Sequence, residues 1–515
     1  MKPSIKALIV LLAVLLPACL LGLGERPVYK IQEVRIAETA REMLASGDWA
    51  VPRYNGELRL QKPPLPYWLT AASYRLAGVS EAATRLPAVL FGLFSALLLW
   101  VWVRRASGDR SAANCALVLV ASYIGLRYCR SGEADSVLLF FVSSACLLGF
   151  DILHGRRDGQ RPALFGLALG LGFLSKGPAA LAIPLLTLVL MALIDKRAGR
   201  FSARWKDFFS VAGVALLLLT ALGWYAWIVW KFPDIAEQFF AKQVDETFVS
   251  GSHAKPLWWY LAHWFDFFAP WGVLIIPAGW MACRRAAPEL PPLVRLAWVW
   301  LAVVLMLLTA TVNKQMQYAL LLAPPLAIVL GHYLAQSEGG FARANRILFS
   351  LFCVAAMAGV IVALRKSSDI PLALTWLALP IAPLLVQRLL RESSLSAPVL
   401  LVAGITAMAY LYSEAHLSNE PRKVAAQTLM AVAAQHAPLY QFRTGLNDGA
   451  LSFYAGRVVP PVDAAEIAQL LQKQSELWLI GAGVPNLPGL DSQAEMRVEE
   501  LTLYRLQRKP LAGAK

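Results

Sequence analysis

Long apolar runs separated by short polar segments dominate this sequence. A helix needs about 20 predominantly apolar residues to cross a bilayer, and most of the runs approach that length. The pattern predicts a polytopic α-helical membrane protein with about 13 transmembrane helices. The expected spans are 5–24, 84–103, 111–127, 135–153, 162–175, 178–194, 208–230, 262–282, 293–312, 316–336, 346–364, 370–387 and 396–413.

A polar stretch from Glu33 to Trp68 lies between the first two of these spans. It begins as a predicted amphipathic helix that would lie flat on the membrane and end at Gly47, a residue suited to a helix C-cap. Asn55-Gly56 then predicts a tight hairpin within 51–60. The apolar face of the helix is expected to consist of Ile36, Ala40, Met43 and Leu44.

The last hundred residues are polar enough to form a small α/β domain outside the membrane. We therefore divide the chain into a transmembrane domain, 1–413, with an outer loop at 25–83, and a soluble domain, 414–515. The elements expected in the second domain are strands at Leu439–Phe442, Leu477–Ile480 and Leu501–Leu506 and a helix near 464–472.

The composition supports the membrane assignment, since 58% of the residues are apolar and 16% are charged. The net charge of +15 does not indicate nucleic-acid binding, because many Lys and Arg residues lie in short loops after the even-numbered spans. This positive-inside pattern places the N-terminus in the cytoplasm, and an odd number of spans places the C-terminus outside. Segments 33–68, 128–134 and 231–261 then share the outer face.

Two charged residues of the outer segments stand out. Asp135 begins an apolar helix, where an ionisable group is costly and marks a functional candidate, although a helix N-terminus also favours an acid. Lys62 precedes Pro63-Pro64, so its backbone is stiff and suited to hold a lipid phosphate. The alternative for Lys62 is an interfacial lysine whose ammonium group reaches for water.

Further candidates come from the second and third outer segments. Arg130 and Glu133 are charged residues close to Asp135, and Trp259 can stack on a sugar or form part of an aromatic belt. His253 together with an acid could bind a divalent metal, and otherwise it is an interfacial hydrogen-bonding residue. The six cysteines form no CxxC pair and indicate neither a disulfide framework nor a metal site.

The first outer loop contains a long motif, E-x-R-x-A-E-x-A-R-E-M-L-x-S-G-D-W from Glu33, then N-G-E-x-x-x-x-K-P-P-L-x-Y-W from Asn55. It resembles the first-loop signature of bacterial integral-membrane glycosyltransferases of the protein O-mannosyltransferase superfamily. The nearest characterised kind is the lipid A aminoarabinose transferase. K-G-P at 176–178 and N-K-x-x-x-Y ending at Tyr318 extend the resemblance along the chain.

The resemblance implies a GT-C fold in the bacterial inner membrane and an enzyme that takes a sugar from undecaprenyl phosphate. The acceptor on the periplasmic face would be lipid A. Lys62, Arg35 and Tyr318 correspond to donor-phosphate-binding residues, Asp135 to the second-loop acid, and His253 to a ligand of a divalent metal. Glu33 joins Asp135 as a candidate catalytic acid, because Gln32 stands at the position of the acid proposed as catalytic in the aminoarabinose transferases. Arg130, Glu133 and Trp259 are our candidates for substrate binding. Two amides, Gln32 and Gln61, stand where the aminoarabinose transferases have carboxylates.

Other functions stay open from the sequence alone. A polyprenyl-phosphate-sugar-dependent transferase could act on a protein or another glycan. A lipid-linked-sugar transporter would need no chemistry, but such proteins often contain internal repeats, and this sequence shows none. The amide at Gln32 also keeps a non-catalytic assembly subunit among the alternatives.

Overall fold

The computed structural model describes residues 3–28, 30–156, 159–197, 205–208, 210–233, 254–284, 290–337, 339–366, 378–390, 396–417, 429–431, 433, 435–446 and 448–508. The chain divides into two compact units. The first contains Met1–Leu21, Gln61–Leu65 and Pro87–Ser413, and the second contains Gly22–Leu60, Pro66–Leu86 and Glu414–Lys515. The predicted domain 414–515 therefore shares its unit with most of the first outer loop.

Helices make up the described part of the first unit, and some of them continue into the second. They are α1 (Pro3–Leu20), α3 (Leu65–Ala77), α4 (Glu81–Val120), α5 (Tyr123–Cys129), α6 (Asp135–Leu153), α7 (Arg161–Lys176), α8 (Ala179–Arg197), α9 (Val211–Lys231), α10 (Trp259–Ala262), α11 (Trp264–Phe267), α12 (Ile275–Arg284), α13 (Pro292–Ala310), α14 (Ala323–Gln336), α15 (Gly339–Lys366), α16 (Ala378–Leu390) and α17 (Ala397–Leu417). Short 3-10 helices occur at Trp205–Phe208, Trp271–Leu274 and Met316–Leu322.

Among the described residues, seven helices are long and apolar enough to cross a membrane, and shorter apolar helices lie at Ile5–Leu20 and Pro380–Leu390. This confirms a polytopic helical membrane protein. The spans predicted at 84–103 and 111–127 lie on two helical segments of α4 that meet at Gly108, where the backbone is not helical (φ of 84°), and the second span continues into α5. The span predicted at 262–282 is broken into short pieces around Pro270, because proline lacks the N–H that would continue a helix.

The second unit contains the predicted amphipathic helix, α2 (Ile31–Ser46). It ends as predicted at Gly47, whose φ of 74° is left-handed and whose N–H donates to Met43 O at 3.0 Å. Two residues outside its predicted apolar face, Glu38 and Arg41, are also buried within this unit. Their side chains form two hydrogen bonds of 2.7 Å, which satisfies the charges that burial would otherwise leave unpaired.

The predicted hairpin follows, with β1 (Arg53–Tyr54) paired antiparallel to β2 (Glu57–Leu58). Asn55 and Gly56 both have positive φ, 54° and 80°, as a two-residue turn of this type requires. The Gly56 N–H donates to both carboxylate oxygens of Glu42, at 3.1 and 3.3 Å. The hairpin tip is therefore held by the helix that precedes it.

The C-terminal part of this unit has a four-stranded sheet in the order β3-β4-β6-β5. The strands are β3 (Leu439–Phe442), β4 (Glu476–Gly481), β5 (Leu490–Val498) and β6 (Leu501–Arg508), and only β3 and β4 pair in parallel. Side chains alternate across a strand, so Leu477 and Leu479 share a cluster with α19 (Ala464–Lys473), whereas Ile480 shares one with α18 (Asp448–Ala455). Strand β5 and helix α18 were not predicted.

Helix α18 also contacts the first-loop motif inside the same unit. The Gly449 N–H donates to Tyr54 Oη at 2.9 Å, and Ser452 Oγ donates to Asn55 Oδ1 at 2.8 Å. Arg41 Nη1 donates to the carbonyl oxygen of Gly456, just past the helix, at 2.8 Å. The C-terminal segment therefore fixes the hairpin as well as α2.

Candidate active site

Asp135, Lys176 and Tyr318 come together in the first unit, from three elements far apart in sequence. Asp135 begins α6 and is 4% exposed, whereas Lys176 is the last residue of α7. Lys176 Nζ lies 2.6 Å from Asp135 Oδ1 and 5.2 Å from the centroid of the Tyr318 ring. The ammonium group thus makes an ion pair and a cation–π contact at once.

The ion pair occupies one oxygen of the Asp135 carboxylate. Within the described part of the chain, no hydrogen bond to its other oxygen, Oδ2, is found. A carboxylate held by one oxygen can accept a proton or a hydrogen bond from a substrate group with the other. Of the two predicted acids, Asp135 is therefore the one with geometry suited to chemistry.

Glu133 lies two residues before Asp135, in the turn that joins α5 to α6. It is buried, and its Oε1 accepts a hydrogen bond of 2.8 Å from Ser131 Oγ, while its backbone N–H donates to the Ser131 carbonyl oxygen. The turn thus brings a second carboxylate close in sequence to Asp135. Its predicted role in substrate binding stays a prediction.

Arg130, another predicted substrate-binding residue, is 2% exposed and binds the end of α1. Its Nη1 donates to Ala18 O at 3.1 Å and its Nη2 to Leu21 O at 2.7 Å. Carbonyl groups at a helix C-terminus lack partners within the helix and carry partial negative charge, so a guanidinium group satisfies them well. This geometry favours an architectural role for Arg130 over a contact with substrate.

Glu33, the other predicted catalytic acid, is fully buried in the second unit at 0% exposure. Arg85 Nε donates to Glu33 Oε1 at 2.8 Å and Arg85 Nη2 to Oε2 at 3.3 Å, while Arg26 lies 3.4 Å from Oε1. Burial alone would raise the pKa of Glu33, but the charges of Arg85 and Arg26 outweigh it and hold the pKa far below its usual range. Such a carboxylate is a poor proton acceptor, so the structure favours a positioning role for Glu33.

Arg35 and Lys62, the predicted phosphate-binding cations, are each half-buried, Arg35 in the second unit and Lys62 in the first. Arg35 lies close to Tyr67, whose hydroxyl accepts a hydrogen bond of 3.0 Å from Arg59 Nε. Burial raises the pKa of Tyr67, and the positive charges of Arg59 and Arg35 oppose that rise. The second unit therefore gathers two arginines around one tyrosine.

Trp259 is half-buried at the start of α10, with ring centroids 4.9 Å from Tyr260 and 5.4 Å from Phe267. This is an aromatic cluster of the kind found at membrane interfaces. His253 lies outside the described residues. Among those described, no three potential metal ligands cluster, and the metal role expected for His253 stays a prediction.

Two residues of this arrangement were not predicted from the sequence as site residues. Lys176 was noted only as part of K-G-P, and Arg85 lay hidden within an apolar span. A charged residue in a membrane segment is costly and therefore a signal of function or pairing. That signal could have identified Arg85, although not its partners, whereas Lys176 lies in the short connection between two predicted spans.

The sequence profile described as dolichyl-phosphate-mannose-protein mannosyltransferase matches residues 61–227. Two relatives are named undecaprenyl phosphate-alpha-4-amino-4-deoxy-L-arabinose arabinosyl transferase. The relative from Edwardsiella ictaluri is 32% identical over 62% of this chain and 58% of its own length. The relative from Aeromonas salmonicida is 31% identical over 66% of this chain and 63% of its own length. The chain thus spans less than two thirds of the length of these relatives.

Among solved structures, the crystal structure of ArnT from Cupriavidus metallidurans bound to undecaprenyl phosphate superposes with a TM-score of 0.80. The sequences are 21% identical, and the match covers 99% of each chain. The crystal structure of the same protein in the apo state superposes with a TM-score of 0.78. The resemblance stated from the sequence is confirmed, since residues 61–227 match the mannosyltransferase profile and the polytopic helical fold is that of the ArnT crystal structure.

Proposed function

We propose that this protein transfers a sugar from undecaprenyl phosphate to an acceptor on the outer face of the bacterial inner membrane. The single observation that carries the proposal is the ion pair between the buried Asp135 and the half-buried Lys176 beside Tyr318. A buried ion pair contributes little net stability, so structure alone gives little reason to keep one at the end of an apolar helix. The family profile at 61–227 includes both Asp135 and Lys176.

The reaction would be a displacement at the anomeric carbon of the donor sugar. The acceptor oxygen forms a bond to that carbon as the bond to the phosphate oxygen breaks, and polyprenyl phosphate leaves with the electron pair. Lys62, Arg35 and Tyr318 would stabilise the negative charge that builds up on the leaving phosphate. Lys is a compact point charge suited to that task, and Arg can bind two phosphate oxygens together.

Asp135 would act on the acceptor. For a hydroxyl acceptor, its carboxylate accepts the proton or orients the hydroxyl while Lys176 holds the other oxygen. For an acceptor that is already an anionic phosphate, no base is needed, and the acid then binds the amine or hydroxyl groups of the sugar. Glu33 would serve by holding Arg85 and Arg26, and with them the start of α2.

The finer topology belongs to this proposal as well. About thirteen spans follow from the apolar runs, and the positive-inside pattern then gives a cytoplasmic N-terminus and a periplasmic C-terminal domain. They place the Glu33–Trp68 stretch and Asp135 on one side of the membrane, as transfer on that side requires. Fusion of a reporter active only in the periplasm to the C-terminus tests the orientation.

Lipid A is the acceptor we propose, because the relatives named above carry the aminoarabinose transferase name. The family profile instead bears the name of a transferase that acts on protein, and this keeps a protein acceptor in view. Mass spectrometry of lipid A from cells with and without this chain decides between them. An added amino-pentose mass that depends on the chain supports lipid A, and unchanged lipid A rejects it.

A further inference from the structure

Buried acidic residues also lie at the ends of α6 and α8 that face away from the candidate site. Asp151, near the end of α6, is 1% exposed and lies 3.3 Å from Arg161 Nε at the start of α7. Asp195, near the end of α8, is likewise buried and lies 3.4 Å from Arg295 Nη2 in the first turn of α13. These two pairs, which we call the far-end pairs, join four helices.

The same four helices build or lead to the candidate site at their other ends. Helix α6 begins with Asp135, α7 ends with Lys176, and α13 leads into the 3-10 helix that contains Tyr318. At that end of α13, Lys314 Nζ donates to the carbonyl oxygen of Thr309 at 3.1 Å and also to that of Thr311. Helices α6, α7 and α13 are thus each fixed at both ends by a charged group, and α8 at its Asp195 end.

Helices α6 and α7 show the consequence most clearly, because an ion pair joins them at each end. Asp135 and Asp151 are separated by about 24 Å along α6, and Arg161 and Lys176 by about 22 Å along α7, at a rise of 1.5 Å per residue. Nearly equal spacing is what two antiparallel helices need if both pairs are to form together. A slip of one turn, about 5.4 Å, would break both.

We infer that the Asp151–Arg161 pair is a positioning device that sets the register of α6 against α7 and so holds Lys176 on Asp135. The inference rests on the proposed function for its catalytic meaning. Apolar helices in lipid gain no hydrophobic energy from one register over another, so buried polar pairs are well suited to specify it. Asp151 and Arg161 touch no reacting group and act only through the site pair.

The test compares purified wild-type protein with Asp151→Asn, Arg161→Gln and the charge swap Asp151→Arg with Arg161→Asp. Arg156 supplies a matched control, because it also lies 3.3 Å from Asp151 but is 54% exposed. Misplacing reacting groups by about 1 Å can cost a hundredfold in rate. We therefore expect Asp151→Asn to lower kcat at least tenfold, while the KM for the donor stays within about twofold of the wild-type value. The charge swap should restore most of kcat. Arg156→Gln should change neither kcat nor KM.

A second readout does not depend on transfer. Hydrogen exchange of residues 131–136 and 175–178 should become faster in Asp151→Asn and Arg161→Gln and stay at the wild-type rate in the swap and in Arg156→Gln. If Asp151→Asn cannot be purified, Arg161→Gln serves as the test variant, because Arg156 still neutralises the charge of Asp151 in that protein. An unchanged kcat and unchanged exchange in a folded variant, or a swap that restores neither, overturns the inference. Absence of transfer by the wild type instead overturns the proposed function. In that case hydrogen exchange still tests whether the Asp151–Arg161 pair sets the register of α6 against α7.

Discussion

Lys176 Nζ lies 2.6 Å from Asp135 Oδ1, although the two residues are 41 positions apart in the chain. The contact joins the last residue of one helix to the first residue of another beside a tyrosine ring, and the Asp135 side chain is 5% exposed whereas that of Lys176 is 25% exposed. Breaking a buried pair by removing one partner strands a charge, whereas removing both partners can be nearly neutral for stability. Function and stability can therefore be separated here by mutation.

The double variant Asp135→Asn with Lys176→Gln should fold and lose transfer. Lys176→Gln leaves the buried Asp135 carboxylate unpaired, which costs up to about 3–5 kcal/mol, whereas the ammonium group left by Asp135→Asn is partly exposed. The double variant should therefore have a higher apparent Tm than Lys176→Gln. Thermal unfolding of the detergent-solubilised protein and transfer assays on the same preparations check both. Activity of the double variant above a tenth of wild type would exclude the pair from the reaction.

Lys62→Ala should weaken binding of undecaprenyl phosphate. A hydrogen bond between a cation and phosphate contributes about 1.5–3 kcal/mol, so we expect the dissociation constant to rise at least tenfold, with Lys62→Arg intermediate. Lys255, an exposed lysine before α10, is the matched control, and Lys255→Ala should bind like wild type. Equal affinities for Lys62→Ala and Lys255→Ala would remove Lys62 from the phosphate site.

Glu33→Gln should destabilise the protein, and the effect should depend on pH. The folded-state pKa of Glu33 is lowered, so its contribution is present above the pKa of an unfolded Glu, about 4.3, and is lost as the pH falls toward the folded-state value. The apparent Tm of wild type should thus exceed that of the variant clearly at pH 7 and by less at pH 4. Glu57 is exposed, so the apparent Tm of Glu57→Gln should match that of wild type at both pH values. A difference in apparent Tm between wild type and Glu33→Gln that is larger at pH 4 than at pH 7 would contradict the ion-pair assignment.

Gly449→Ala should loosen the contact between α18 and the hairpin. A Cβ at this position would meet the Tyr54 ring at 2.5 Å, so the ring must move and its hydrogen bond with the Gly449 N–H is strained. Overpacking of this kind costs about 1–3 kcal/mol. Limited proteolysis should cut the hairpin at 53–58 faster in this variant. Gly483→Ala, where a Cβ meets no atom within 4 Å, is the control, and equal cleavage of both would refute the contact.

Hydropathy predicted most helix positions, because lipid leaves a spanning segment few other ways to satisfy its backbone. The helix end at Gly47 and the turn at Asn55-Gly56 were also predicted, because these residue types readily adopt the positive φ that a C-cap and a tight turn require. Strand β5 was missed because its side chains are largely exposed and it is held by backbone pairing with β6. Lys176 and Arg85 were missed as partners because helix register, which brings distant residues together, leaves no periodic trace in the sequence.

Transfer of radiolabelled sugar by the purified protein tests the central claim most directly. The assay supplies undecaprenyl phosphate carrying 4-amino-4-deoxy-L-arabinose, with lipid A as acceptor, and compares wild type with the Asp135→Asn, Lys176→Gln double variant. The account predicts that label moves to lipid A with wild type and stays on the carrier with the variant. Failure of wild type to move label to lipid A, or equal rates for both proteins, would contradict it.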